Sequence, residues 1–193
     1  LTKSEAKDIE LYLNFDMIGS PNYARFVYDG DGSAFGIRGP AGSHAIEEVF
    51  EEFFASQGLA SEPTAFDGRS DYDAFITAGI PAGGLFTGAE DNKTEDQVAL
   101  YGGLEYNGVI SNVNTLALEE MSDAVAHAVL LYAMSTSSVS GTGQASDQAT
   151  VATGDRLAAH FRRRRQSFPT SNGSAAAGGL LRPSRLTDVW SAD

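Results

Sequence analysis

Apolar residues fall into short runs separated by polar turns. Residues 10–18 are mostly apolar and are followed by the turn-forming stretch GSPN, which predicts a buried strand and then a turn. A second strand is predicted within 23–33, where the run ends in glycines and aspartates, and another within 80–88. A short helix is predicted between them, over 71–79.

Two longer segments have the periodicity of amphipathic helices. The first covers 39–59, with Ser43 as its predicted cap and Gly58 near its end. The paired acids at 47–48 and 51–52 are predicted to lie on the solvated side of this helix. The second helix is predicted over 115–134. The first helix buries one apolar stripe, formed by Ile46, Val49, Phe50, Phe53 and Phe54.

The order of these elements predicts an α/β fold. Strands and helices alternate as far as residue 134, and then the periodicity is lost. The segment 135–193 is rich in Ser, Thr and Gly and contains a run of four arginines. We therefore expect one folded unit over 1–134 and a disordered, basic, low-complexity tail over 135–193.

Charge and cysteine content exclude several classes of function. The net charge is -13, and 22 of the 26 acids precede residue 134, so the folded part would repel nucleic acid. Without cysteine, neither a disulfide nor a thiolate metal site is possible.

No apolar run approaches the roughly 18 residues that span a bilayer. The first ten residues lack the order of a signal peptide, and we expect the chain to begin within a domain.

One acid stands out, because it ends a strand that is predicted to be buried. Asp16 follows the apolar run, and an uncompensated buried charge costs several kcal/mol, roughly. It should therefore have a cation, a metal or a set of hydrogen-bond donors as its partner. Strand ends are also where α/β folds place ligands. The alternative is that the carboxylate only caps the turn that follows.

Two further stretches carry candidate binding residues. In 67–75, Gly68 frees the backbone and Arg69 lies between Asp67 and Asp71, although a helix cap at Ser70 or Asp71 beside a surface ion pair would use the same stretch. In 83–91, Phe86 lies between glycines, as in a pocket wall or an ordinary core. No histidine has metal-ligand or catalytic-triad spacing, so none is predicted to be a ligand: His44, His127 and His160.

Long motifs within residues 8–133 resemble a known family. The stretches NFDMIGSPN, GRSDY and GLFTGAE, followed by the helix NTLALEEMSDAVAHA, are similar to the C-terminal half of M28 zinc aminopeptidases of the secreted bacterial kind. The resemblance implies an α/β/α sandwich around a mixed sheet with two zinc ions. It also implies removal of N-terminal residues, mainly apolar ones, from peptides outside the cell.

The resemblance also implies roles for five residues. Asp16 matches the non-bridging aspartate ligand of zinc, and Met17 matches the residue beside the substrate's amino end. Gly68 and Arg69 match the loop that contacts the bound peptide, and Phe86 matches the wall of the pocket for the N-terminal side chain.

Most of the family's catalytic groups have no match in this sequence. The first histidine, the bridging aspartate and the paired glutamates are expected before residue 1, and the last histidine has no counterpart in 101–114, where Tyr106 cannot be assigned. We expect a fragment of a di-zinc aminopeptidase, inactive by itself, whose partners are peptide N-termini and the missing N-terminal half. Nucleic acid and membranes are not expected partners. The alternative is a degenerate fragment that binds peptides without catalysis, or that has no function.

Overall fold

A small mixed sheet organises the chain, in a computed structural model that describes residues 2, 4–89, 91–102 and 113–140. A 3-10 turn over Glu5–Asp8 precedes the first strand. The strands are β1 (Tyr12–Phe15), β2 (Phe26–Tyr28), β3 (Glu62–Thr64) and β4 (Ala82–Phe86). The helices are α1 (Ser43–Ser56), α2 (Tyr72–Thr77), α3 (Glu95–Tyr101), α4 (Thr115–Met134) and α5 (Ser137–Ser140).

The strand order places the ends of β1 and β4 side by side. The sheet has the order β1-β4-β2-β3, in which β1 and β4 are parallel and β2 is antiparallel to β4. β3 is parallel to β2. Residues that follow β1 and residues that follow β4 therefore lie at the same end of the strands, and residues that directly follow β2 lie at the opposite end.

Gly84 allows the backbones of β1 and β4 to approach closely. Its φ is +146°, and a Cβ at this position would lie 1.9 Å from the carbonyl oxygen of Asn14. No other residue fits there, since the neighbouring atom is backbone and cannot turn away. Gly83 has a similar role toward α1, because its missing side chain makes room for Ile46.

Helices cover both faces of the sheet, which confirms the predicted α/β class. On one face, α1 and α4 bury an apolar core against β2 and β4 that includes Val27, Phe50, Leu85 and Met121. On the other face lies an aromatic cluster with α2, formed by Tyr28, Phe66 and Tyr72. The alternation of Val27 and Tyr28 along β2 sends one side chain into each cluster.

A buried ion pair joins the sheet to the long helix α4. Arg25, which directly precedes β2, donates from Nε to Oε2 of Glu120 at 2.7 Å, and its terminal nitrogen lies 2.6 Å from the same oxygen. Both side chains are less than one-tenth exposed. The guanidinium also donates to the carbonyl of Ala60 at 3.3 Å. Removing either partner would leave an unpaired buried charge.

The beginning of α1 differs from the sequence prediction. The cap is Gly42 with φ +101°, and no side chain caps the helix. Ser43 instead accepts a hydrogen bond at Oγ from the backbone N–H of Ala82, which fixes the start of α1 beside the start of β4. The prediction of a solvated acidic side is wrong for Glu47, which is 5% exposed.

The predicted tail begins with an ordered segment. Ser137–Ser140 form α5, and Val139 is buried in the core beside α1. Residues 135–140 are therefore packed against the folded unit, whereas the rest of the predicted tail, 141–193, lies outside the described residues. Within the described part of the chain, every helix is too short or too polar to cross a membrane.

Replacing Gly84 by alanine should separate β1 from β4. A Cβ cannot fit against the Asn14 carbonyl, so we expect Gly84→Ala to lower the free energy of unfolding by about 2 kcal/mol or more. Gly79→Ala is the matched control: this glycine also has positive φ, but no atom lies within 4 Å of its added Cβ. Urea unfolding measures both variants, and equal losses would show that the close approach is unimportant.

Buried His127 should make the protein less stable in mild acid. Burial lowers the pKa of its imidazole, whose Nδ1 has no hydrogen-bond partner among the described residues. Below the unfolded-state pKa of about 6.5 the unfolded chain binds the proton more readily, so stability falls as pH decreases toward the folded pKa. We expect His127→Gln to flatten the decline of the melting temperature below pH 6.5; unchanged slopes would contradict this.

Candidate functional site

A cavity of about 380 Å³ opens beside the ends of β1 and β4. Its wall brings together residues from four segments: the end of β1, the end of β2, the end of β3 with the loop that follows it, and the end of β4 with the residues that follow it. Four of the five residues singled out in the sequence contribute to it, namely Asp16, Met17, Arg69 and Phe86. Residues that are about 70 positions apart in the sequence therefore face one space.

Two strained backbone positions border the cavity. Met17 and Ala89 are the non-glycine residues with positive φ in the described part of the chain, at 49° and 48°, and both line the cavity. Met17 is also 49% exposed although it is large and apolar. Strain of this kind costs on the order of 1–3 kcal/mol and concentrates at functional sites.

Asp16 is held by a hydroxyl from the loop after β3. Ser70 Oγ lies 3.0 Å from Oδ2 of Asp16, and the side-chain amide of Asn14 donates to the same hydroxyl at 3.0 Å. Asn14 is 2% exposed and is two residues before Asp16, so both side chains leave β1 on the same side. Among the described residues, Oδ1 of Asp16 has no hydrogen-bond donor, which leaves that oxygen available.

The loop 67–70 is fixed by Tyr72 rather than by an ion pair. The Tyr72 hydroxyl donates to Oδ1 of Asp67 at 2.8 Å and accepts from the N–H of Gly68 at 2.9 Å. Burial raises the pKa of Tyr72, so the phenol stays protonated. Gly68, with φ +78°, positions Arg69 without being part of the cavity wall.

The structure supports neither of the simpler alternatives for this stretch. Asp71 occupies the cap position of α2 but makes no side-chain capping bond. Within the described ranges, the guanidinium of Arg69 forms no ion pair with Asp67 or Asp71. Arg69 is therefore an exposed cation on the cavity wall and can contact a ligand group that carries negative charge.

Phe86 belongs both to a core and to the cavity. It ends β4 and stacks on Phe26, with ring centroids 6.1 Å apart, while its half-buried ring also lines the cavity. The next residue, Thr87, is fully buried and makes a hydrogen bond to the carbonyl of Met17 and another to Ser20. These bonds tie the residue after Asp16 to the end of β4.

Asp16 fits a metal ion as one ligand and not as a complete site. Asp16 lines the cavity, and its Oδ1 accepts no hydrogen bond from the described residues. No group of three potential ligands in the described part of the chain includes it, however; the group found there is formed by Asp31, His44 and Glu47. Further ligands for an ion at Asp16 would have to come from outside the described residues.

Sequence reasoning missed the residues that support Asp16. Asn14 was not predicted, and Ser70 was predicted only as a possible helix cap. An asparagine two positions before Asp16 in an apolar strand is a signal, since both must share one face. Asp91, which also lines the cavity, was missed as well. Nothing local connects Ser70 with Asp16, which is 54 positions away.

Known proteins resemble this chain over most of its described part. The model of Peptidase family M28 matches residues 1–129. The chain belongs to peptidase family M28. Similar proteins include leucine aminopeptidase 2 of Trichophyton equinum, 52% identical over 145 residues, and an aminopeptidase of Pseudomonas aeruginosa, 50% identical over 146 residues. A probable leucine aminopeptidase 2 of Aspergillus fumigatus is 52% identical over 149 residues.

The alignments cover only part of the length of these relatives. The alignments cover 70% to 72% of this chain but only 27% to 30% of the relatives. The chain therefore spans less than a third of the length of the curated relatives it matches. These relatives are fungal and bacterial, so the comparison supports M28 membership without restricting it to secreted bacterial enzymes.

Removing the Ser70 hydroxyl should loosen Asp16. Ser70→Ala leaves the buried Asn14 amide without this acceptor, and an unsatisfied buried group costs about 1–3 kcal/mol. We expect that loss in urea unfolding of Ser70→Ala and most of it restored in Ser70→Thr, which keeps a hydroxyl. Equal stability of Ser70→Ala and the unmodified chain would show that the hydroxyl is unimportant.

Proposed function

We propose that this chain forms one side of the active site of an aminopeptidase, which removes N-terminal residues from peptides. The observation that carries the proposal is the cavity that joins Asp16, Met17, Arg69 and Phe86 in a chain of family M28. The names of its relatives, leucine aminopeptidase and aminopeptidase, support the same activity. Secretion is part of the proposal and rests on resemblance alone.

The proposed cofactor is zinc, with Asp16 as one ligand. A zinc ion in such a site lowers the pKa of bound water and polarises the scissile carbonyl. Asp16 would direct Oδ1 toward the ion, while Ser70 holds Oδ2. Since a lone carboxylate binds zinc weakly, the remaining ligands must come from the part of the M28 domain that these residues do not include.

The rest of the cavity would hold the peptide. Met17 and Phe86 offer apolar surface to the first side chain, which suits leucine and other apolar residues. Arg69, which has no ion-pair partner among the described residues, would contact the peptide backbone or the released carboxylate. Gly68 would keep this arginine in place through its N–H bond to Tyr72.

An Asp16 substitution tests the proposal in the full-length gene product. We expect Asp16→Asn to lower kcat/KM for leucine p-nitroanilide by about 100-fold or more, and to reduce the zinc content, because a metal ligand is lost. Asp96→Asn removes the same charge from an exposed site on α3 and is the matched control. The 193-residue chain by itself should show no hydrolysis.

Two results would contradict the proposal. If the zinc-loaded full-length product releases no N-terminal residue, the proposed activity is wrong. If Asp16→Asn keeps full activity, Asp16 is not a catalytic metal ligand. Binding of a leucine peptide that needs Arg69 and Phe86, without turnover, would instead favour the alternative of a peptide-binding module. Calorimetry with a non-hydrolysable leucine peptide measures that binding.

A further inference from the structure

A second group of potential ligands lies at the end of the sheet opposite to Asp16. Asp31, in the connection after β2, approaches His44 and Glu47 in the first turns of α1, and their ligand atoms all lie within 4.8 Å of one another. Ser43 Oγ accepts from Ala82 N–H at the start of β4, whereas Asp16 lies beside the end of β4. A five-residue strand spans about 13 Å, so the two sites are separate.

The separations suit a small cation. A tetrahedral ion with bonds of about 2.0–2.1 Å holds its ligand atoms roughly 3.3 Å apart. His44 Nδ1 lies 3.3 Å from Oε2 of Glu47 and 3.8 Å from Oδ2 of Asp31. Small side-chain rotations would therefore place the three atoms around one ion, and His44 is exposed enough to move.

The other nitrogen of His44 provides a second, independent indication. Nε2 lies 3.3 Å from Oε1 of Glu48, one helical turn away. Histidines that bind metal characteristically donate their second ring N–H to a carboxylate, which fixes the ring and leaves a lone pair on the first nitrogen. If Nε2–H donates to Glu48, Nδ1 is the ring nitrogen that would contact an ion held by Asp31 and Glu47.

The local charge also favours a cation. Glu47 is only 6% exposed in its side chain, and within the described part of the chain its charged partner is His44, with no lysine or arginine. The N–H groups of Gly30 and Asp31 donate to its Oε2. A bound cation would place a positive charge beside the carboxylates of Asp31 and Glu47.

We propose that Asp31, His44 and Glu47 bind a zinc ion that fastens the β2–α1 connection to helix α1. One imidazole and two carboxylates suit zinc better than calcium, which prefers oxygen ligands alone. Glu48 is a positioning residue that orients His44. The site is independent of the proposed catalytic ion, because Asp16 takes no part in it.

The test titrates the full 193-residue chain with zinc chloride. The chain carries Asp16→Asn, which removes the proposed zinc ligand at the opposite end of the sheet. Calorimetry should show one zinc per chain, and zinc should raise the melting temperature. We expect His44→Ala and Asp31→Asn to weaken zinc binding at least tenfold. Glu48→Gln should weaken it about tenfold, because the carboxylate that orients His44 is lost. Glu52→Gln, an exposed acid of the same helix, is the matched control and should bind as the parent does.

Several results would overturn the site. No zinc binding by the Asp16→Asn chain, equal binding by His44→Ala, or a loss in Glu52→Gln as large as in Asp31→Asn would each exclude it. Calcium binding as tight as zinc binding would show that the imidazole is not a ligand. Circular dichroism of each metal-free variant confirms folding, and His44→Gln provides a second substitution at the exposed histidine. None of these results bears on peptide hydrolysis.

Discussion

The close pairing of β1 with β4 is the constraint on which the site depends. It needs Gly84, since any side chain would collide with the carbonyl of Asn14. This pairing brings the residues after both strands together, so that Asp16 and Met17 face the same cavity as Phe86. Thr87 then locks the Met17 carbonyl by a buried hydrogen bond. A loss of register would separate the carboxylate from the pocket wall.

The strongly acidic folded unit stabilises its buried carboxylates in different ways. Glu120 has a guanidinium, Arg25, as its partner. Asp29 is fully buried and accepts backbone N–H groups of the following loop, including those of Ser33 and Phe35. Glu47 has two backbone donors and a histidine. Paired or hydrogen-bonded acids are tolerated inside a protein because each replaces the water it loses.

Membership of family M28 and the possession of a complete active site are separate questions. The family match covers residues 1–129, but the chain corresponds to less than a third of its relatives. The described residues supply one wall of a cavity and one available carboxylate oxygen. Catalysis therefore belongs to the proposal for the complete domain, whereas the geometry around Asp16 and Ser70 is a property of this chain itself.

Local sequence patterns predicted most of the helices and strands, whereas only tertiary contacts show which residues meet at the candidate sites. The helix over 115–134 and the β4 region followed from periodicity alone, because burial of one face leaves a regular trace in the sequence. The short strand β3 and the cap of α1 did not, since a partly exposed three-residue edge strand and a left-handed glycine leave little pattern. Motifs singled out Asp16, but only the folded chain placed Ser70 against it and His44 beside Asp31. Ser70 is 54 positions from Asp16, and His44 and Asp31 lie in different elements, so only the packing of the sheet and its helices brings each pair into contact.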